Sequence, residues 1–396
     1  PPRMCPARSR CSEPTAPSSS TRWRAAPAAA PLSNQERMPA FSWDRVPRFI
    51  HIRKDTAFTS EEIQHLATFP LITFEKSTGI RDSGSTEAGT LKAAQEVKAI
   101  NPATKILYYR NVIVHYGGYA ANTALEDIPG TLLAGRDGNE KIVRGNVPAY
   151  NLDSKQMRDW WLASAQKVCA DPAIDGLFLD GMVKVLEPGY LRNEIGDEKK
   201  AAGLAGYHTM MKETRQMLGP KKLMVANVLR ARFADSGLNA MKAFDGSYIE
   251  GFEGAVGKMS KKDYVAKGIE AFQTAARRGD LIAFTCGLGN NEQDADETPG
   301  GGTASQKTSD QQARATYLLA MFLIAAEKHS YFFLKESYDA KRSNAWMTVH
   351  PEYERPLGAP KGPAVQSGYS YTREFAHASV RLNIEKETGE IVWKEP

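Results

Sequence analysis

Eight short apolar runs alternate with helical patterns along this chain, and that alternation limits the possible folds more than any other feature. The runs cover residues 49–53, 71–76, 105–111, 176–181, 223–228, 246–252, 281–287 and 331–336. Each is rich in Ile, Val, Leu, Phe or Tyr and nearly unbroken in apolarity. Strands buried on both faces of a parallel sheet read this way. Helical periodicity fills the gaps. Thr59-Ser60-Glu61-Glu62 opens one helix with a capping pattern, and Asn101-Pro102 ends a second that begins at Thr86. Further helices are expected over 154–170, 199–218, 236–244, 260–278 and 309–328. Eight strands with helices between them predict an α/β chain closed into a (β/α)8 barrel. No GxGxxG follows any strand, which counts against the dinucleotide-binding alternative.

The ends of the chain differ from this body. Residues 1–40 are rich in Pro, Ala, Ser and Arg and lack a continuous apolar core, so they read as a disordered, dispensable leader and not as a secretory signal. The barrel is expected over 41–356. A Gly/Pro connector at 357–363 then leads to two or three antiparallel strands, near 369–375, 379–384 and 391–393, packed on the barrel. Two loops stand out by length, 112–153 and 288–307, and the second is Gly-, Asp- and Glu-rich. Long loops on one rim of a barrel shape a cleft.

Charge narrows the partners. The formal net charge is +5, and much of the excess lies in the leader as Arg3, Arg8, Arg10, Arg22, Arg24 and Arg37. The body is near neutral and has no basic stripe with interleaved aromatics, which argues against nucleic acid. No run reaches about 18 apolar residues, so no membrane-spanning helix is expected. The four cysteines form no CxxC and no His-Cys cluster with metal spacing, so neither metal nor cofactor is called for.

Chemistry in a barrel sits at the C-terminal ends of the strands. The polar residues there are Glu75 and Lys76 on the second strand, Arg110 and Asn111 on the third, Asp180 on the fourth, Asn227 on the fifth, Glu250 on the sixth with Glu253 just after it, and Glu336 at the end of the eighth. His51 on the first strand has no local partner. Asp180 ends the apolar run 174–179 and either caps the next loop or carries chemistry. Glu250 follows Gly246-Ser247-Tyr248-Ile249 in the same manner, and its bland reading is a rim carboxylate paired with Arg230 or Arg232. Glycoside cleavage needs two such carboxyl groups: a proton donor to the leaving oxygen, and a nucleophile or a base that activates water. Strands four and six are two apart, about 10 Å, so inward-leaning carboxyls can come within roughly 5 to 9 Å. A donor at neutral pH needs a raised pKa, which a partly buried Glu beside a second acid is expected to have. Tyr109, Tyr116, Tyr119, Tyr150, Tyr190 and Trp346 fall in or near the rim loops and suit sugar stacking as well as core packing.

The run Ile174-Asp175-Gly176-Leu177-Phe178-Leu179-Asp180-Gly181 resembles the fourth-strand motif of a group of barrel glycoside hydrolases. Leu107-Tyr108-Tyr109-Arg110-Asn111, Arg158-Asp159-Trp160-Trp161 and Tyr371-Thr372-Arg373-Glu374-Phe375 fit the same pattern. The chain resembles hypothetical glycosyl hydrolase family 15 from about Trp43 to Trp393. It is similar in layout to glycoside hydrolase family 114, the endo-α-1,4-polygalactosaminidases. That resemblance implies a barrel and a catalytic pair after strands four and six, which carries over to Asp180 and Glu250. It also implies a periplasmic or extracellular location. Glu75, Tyr109, Asn111, Asn227, Arg230, Glu253 and Glu336 are the expected substrate contacts, the substrate an oligo- or polysaccharide, and the protein a monomer. Two other readings stand beside this one. The first is a non-catalytic carbohydrate-binding barrel, favoured by a carboxyl separation above roughly 10 Å. The second is a lyase or aldolase, with carboxylates on a metal or with Lys76 as a Schiff-base lysine.

Overall fold

The computed structural model describes residues 37–254, 259–288, 309–343 and 345–395. The leader to residue 36 and most of the loop 288–307 lie outside the described residues. Eight parallel strands form one sheet in sequence order, β1 (Ile50–Ile52), β2 (Leu71–Phe74), β3 (Lys105–Asn111), β4 (Gly176–Asp180), β5 (Leu223–Asn227), β6 (Gly246–Ile249), β7 (Leu281–Gly287) and β8 (Ser330–Lys335). Two backbone bonds close it: Phe332 N–H to the Pro47 carbonyl at 2.8 Å, and Phe49 N–H to the Phe332 carbonyl at 3.2 Å. The parallel bridge Arg53↔Asp339 extends the seam above β1. The sheet is therefore an eight-stranded barrel, as the alternating runs predict.

The longer helices are α1 (Ser60–Leu66), α2 (Thr86–Ile100), α3 (Lys155–Cys169), α4 (Asp197–Leu218), α5 (Lys261–Arg277) and α6 (Ser309–Ala325). Their starts follow the sequence. Thr59 and Glu62 form a complete capping box on α1, and the Ser154 and Ser260 hydroxyls accept from the Met157 and Asp263 N–H groups on α3 and α5. The helix expected over 236–244 is a correction. It is a 3-10 turn, Ala240–Ala243. Ser236 and Gly237 both have left-handed φ (57° and 82°), and the Asp235 carboxylate accepts from the Gly237 and Asn239 N–H groups, so the chain turns where a helix would start.

The tail has one strand more than expected. β9 (Val365–Ser367), β10 (Ser370–Glu374), β11 (Ala378–Asn383) and β12 (Thr388–Trp393) make an antiparallel sheet in the order β12-β11-β10-β9, and its β10 to β12 side lies against α6. At the other end the chain is already packed at Arg37, whose guanidinium meets Asp245 at 2.7 Å, and Met38 is buried, both short of the expected boundary at residue 40. No described helix is long and apolar enough to cross a membrane.

The barrel interior is filled by rings from β1, β3, β4 and β6. Phe178 lies with its ring 4.8 Å from His51, 5.2 Å from Tyr248 and 5.7 Å from Tyr109. With two-residue alternation, the next inward residues toward the C-terminal rim are Arg53, Glu75, Asn111, Asp180 and Glu250. The site stands on this aromatic floor.

Candidate active site

Asp180 ends β4 and is half-buried. Four neutral donors hold it. The Tyr109 hydroxyl donates to Oδ2 at 2.7 Å and the Asn111 amide to the same oxygen at 3.2 Å. The Gly181 N–H donates to Oδ1 at 2.7 Å and the Asn227 amide at 3.2 Å. Asn111 is itself fixed, because its Oδ1 accepts from the Ile113 and Val114 N–H groups at 3.0 and 2.7 Å. The Trp161 indole of α3 donates to the Asn111 carbonyl at 3.0 Å. Asp180 is thus positioned from β3, β4, β5 and α3, with no cation paired to it among the described residues.

Glu250, one residue past β6, keeps a side chain 31% exposed. Its Oε1 accepts from the Asn227 amide at 2.7 Å and from Arg230 at 3.0 Å, and its Oε2 accepts from the Tyr338 hydroxyl at 3.0 Å. Burial pushes this carboxyl up. The Arg230 guanidinium, the Lys335 ammonium and the hydrogen bonds from Asn227 and Tyr338 outweigh burial and hold it below the ordinary value. The raised value expected from the sequence is corrected here, because cations just after β5 and at the end of β8 face Glu250 more closely than a strand-by-strand reading can show. Of the two arginines considered as its partner, Arg230 makes the contact and Arg232 pairs with Glu187 instead.

One nitrogen links the two acids. Asn227 Nδ2 donates both to Asp180 at 3.2 Å and to Glu250 at 2.7 Å. These two bonds keep Oδ1 of Asp180 and Oε1 of Glu250 within about 6 Å of each other, and the roughly 120° splay of an amide's N–H bonds corresponds to about 5 Å.

Glu75 lies on the wall opposite, buried, with Arg53 at 2.9 Å on one oxygen and Lys76 on the other. Burial raises its pKa, but Lys76 and Arg53 more than reverse this and leave it lowered. Lys76 is raised in turn: burial works against its charge and Glu75 overcomes it. Its ammonium sits 5.3 Å from the ring centres of both Tyr109 and Tyr116. A Schiff-base lysine needs the opposite shift, which counts against the aldolase reading. Among the described residues no group of three His, Cys, Asp or Glu is arranged to hold a metal ion.

Other sequence candidates fall elsewhere. Glu253 is buried in an ion pair with Arg314 of α6, with Lys261 at 3.6 Å, and so stands apart from Glu250. Glu336 is exposed and accepts from the Ser343 hydroxyl. Arg110 points outward from β3, buried against the rings of Tyr119, Trp160 and Trp161. Tyr150 packs on His115 and Trp160, and Trp346 on Phe58 and His65. His51 lies in the aromatic floor. Four participants were missed by sequence reasoning, Arg53, Tyr248, Lys335 and Tyr338. Tyr248 was findable, being two residues before Glu250 on the same inward face. Tyr338 lies in irregular chain after β8 and carries no periodic signal.

No curated protein matches the sequence. Solved structures similar to it include α-L-fucosidase isoenzyme 2 from Paenibacillus thiaminolyticus (15% identity, TM-score 0.48), with 78% of this chain and 48% of that one covered. A noncanonic maltogenic α-amylase from Thermotoga neapolitana gives 11% identity and TM-score 0.47, over 89% and 87% of the two chains. A GH36 α-galactosidase from Geobacillus stearothermophilus gives 11% and 0.45, over 87% and 49%. The chain therefore spans about half the length of the fucosidase and the α-galactosidase. The family model described as hypothetical glycosyl hydrolase family 15 matches residues 98–379. That span takes in β3 to β8 and with them Asp180, Asn227 and Glu250, and the chain belongs to this family of glycoside hydrolases.

Proposed function

We propose that this glycoside hydrolase cleaves an O-glycosidic bond of an oligo- or polysaccharide with retention of anomeric configuration, using Asp180 as nucleophile and Glu250 as acid and then base. The observation that carries the reading is the shared Asn227 amide. A spacing of about 5 Å suits a retaining pair, whereas an inverting pair stands roughly 6.5 to 9.5 Å apart to admit water. It is also well inside the limit beyond which a binding-only barrel would be favoured.

In the first step the Asp180 carboxylate attacks the anomeric carbon, and the leaving oxygen takes a proton from the protonated fraction of Glu250, a fraction that its lowered pKa keeps small at neutral pH. In the second, Glu250 takes a proton from water as the water oxygen displaces Asp180 from that carbon. Tyr109, Asn111 and Asn227 orient Asp180, and their bonds leave it accessible in the cleft. Glu75 and Lys76 face the same space and offer an acceptor and a donor to sugar hydroxyls, with Tyr116 as a stacking surface. Glu253 and Glu336 have no part in this reading.

The experiment is hydrolysis of a panel of α- and β-linked polysaccharides and aryl glycosides, with the first-formed anomer followed by proton NMR. Asp180→Asn is expected to lower turnover by at least about a thousandfold. Glu250→Gln should be severe on polysaccharides and milder on activated aryl glycosides, which leave with little protonation. Near-normal turnover by Asp180→Asn, or a first product of inverted configuration, sinks the assignment.

A further inference from the structure

Oε1 of Glu250 already accepts two donors, from Asn227 and Arg230. Oε2 accepts from the Tyr338 hydroxyl at 3.0 Å. With Oε1 already doubly engaged, Oε2 is the oxygen better able to take a proton, and the Tyr338 hydroxyl touches it. A phenol has a single hydrogen. As Tyr338 gives its own to Glu250, the close contact between the Tyr248 and Tyr338 hydroxyls must run from Tyr248 to Tyr338. The result is a one-way chain, Tyr248 to Tyr338 to Glu250. Both tyrosines are buried, at 2% and 5% exposure, so water does not compete with it.

The position of Tyr338 is fixed from three sides. Its carbonyl accepts from the Arg53 N–H at 2.9 Å, and the Arg53 carbonyl accepts from Ala340 at 2.9 Å, so the residue is built into the seam that closes the barrel. The Lys335 ammonium lies 3.5 Å from its ring centre. The His51 ring lies 5.1 Å away on the floor. A cation on the ring face makes the phenol a stronger donor.

We propose that Tyr338 is a positioning residue for the reaction: steered by Tyr248, its hydroxyl fixes Oε2 of Glu250, the oxygen that gives and takes the proton, and biases that carboxyl toward its base form. The proposal rests on the acid/base role assigned to Glu250 above. Its consequence is an asymmetry between the two steps. A donor aimed at Oε2 favours the ionised carboxylate that activates water and disfavours the proton needed for leaving-group departure. Glycosyl transfer to Asp180 is then the slower step for poor leaving groups. Arg230, Lys335, Asp180 and His51 also face Glu250, so Tyr338 acts on a carboxyl whose charge several elements set, and only its own share is removed by substitution.

The test is direct titration of Glu250 by carboxyl 13C NMR in protein labelled at the glutamate side-chain carboxyl carbon, the resonance being identified by its loss in Glu250→Gln. Tyr338→Phe should raise the midpoint by about one pH unit, the size expected for losing one hydrogen bond to a charged acceptor. Tyr248→Phe, which leaves Tyr338 in place, should raise it by less, and the double variant should match Tyr338→Phe alone. In parallel, the basic limb of the kcat/KM profile, on whichever polysaccharide of the panel the wild type cleaves, should rise with the midpoint. A midpoint unmoved in both single variants overturns the proposal, as does a basic limb that stays put while the midpoint moves. If Tyr338→Phe fails to fold, the Tyr248→Phe midpoint decides. Failure of the functional reading shows separately, as a Glu250→Gln variant with normal turnover, whatever the titration gives.

Discussion

His51 is a base that its surroundings keep uncharged. It is 3% exposed, its ring packs against Phe178, Tyr248 and Tyr338, and its Nδ1 has no hydrogen-bond partner among the described residues. Burial lowers its pKa from 6.5 to about 4, against the pull of Glu75 and Glu250. The sign follows from proton uptake. As pH falls through 6.5 the unfolded chain takes up a proton that the folded chain refuses, so stability held above that point is lost between 6.5 and about 4. The loss is roughly 3 kcal/mol at most. His51→Gln should flatten the decline in unfolding free energy over that window, measured by urea denaturation at pH 7 and pH 4.5. A decline as steep as that of the wild type would show that the protons go elsewhere. This role was not legible in the sequence, where His51 was only a lone polar residue in an apolar run. Asp180 and Glu250 were legible because a strand end announces itself where apolarity stops. What surrounds them was not: Tyr338, Lys335 and Arg53 reach the site at the seam where the barrel closes, and no pattern along the chain reports which side chains near that seam turn toward Glu250.

Elements were more legible than contacts, since their signals are local. Thr59 with Glu62, Ser154 and Ser260 each mark a helix start that the structure keeps, because a capping side chain and the N–H it satisfies lie within three residues. The 236–244 segment misled for the same reason in reverse: its polar residues make a turn that satisfies the same backbone groups. The junction from β4 to the short helix Met182–Leu186 shows how one element end serves the site. Gly181 there has φ +85°, and its N–H holds Asp180. A Cβ at this position would lie 2.6 Å from Oδ1 of Asn111, the residue that ties the exit of β3 to Asp180. Gly181→Ala is expected to cost about 1 to 3 kcal/mol of stability through its left-handed backbone. It should also lower kcat by about tenfold or more, as Asn111 and Asp180 shift together. Thermal unfolding and turnover measured on the same preparation check this. Wild-type kcat in a destabilised variant would mean that the turn serves only the fold.

At the scale of the whole molecule, the C-terminal sheet completes a helix that the barrel leaves unfinished. The last carbonyls of any helix lack partners within it. At the end of α6 that of Leu323, and that of Ala326 just past it, accept from the guanidinium of Arg373, which comes from β10 of the tail and is 3% exposed. The same guanidinium pairs with Glu327 at 2.9 Å and donates to the Gly362 carbonyl at 3.2 Å. A cation is well placed there, at the negative end of the helix dipole. The approach of the sheet is close as well: a Cβ on Gly389 of β12 would come within 2.7 Å of the Tyr317 Cα. Arg373→Met keeps much of the apolar stem but leaves the carbonyls at the end of α6 buried without this donor and takes from Glu327 the nearer of its two cations, the other being Arg277 at 3.9 Å, a loss on the order of 3 kcal/mol. It should lower Tm by several degrees, and barrel and tail should unfold in one transition, whether followed by far-ultraviolet circular dichroism or by tryptophan fluorescence. Deleting the chain beyond residue 356 should then leave a barrel that does not fold by itself. Two resolved transitions in the wild type, or a truncated chain that melts cooperatively near the wild-type temperature, would show that the tail is an independent appendage and that Arg373 caps a helix that is stable without it.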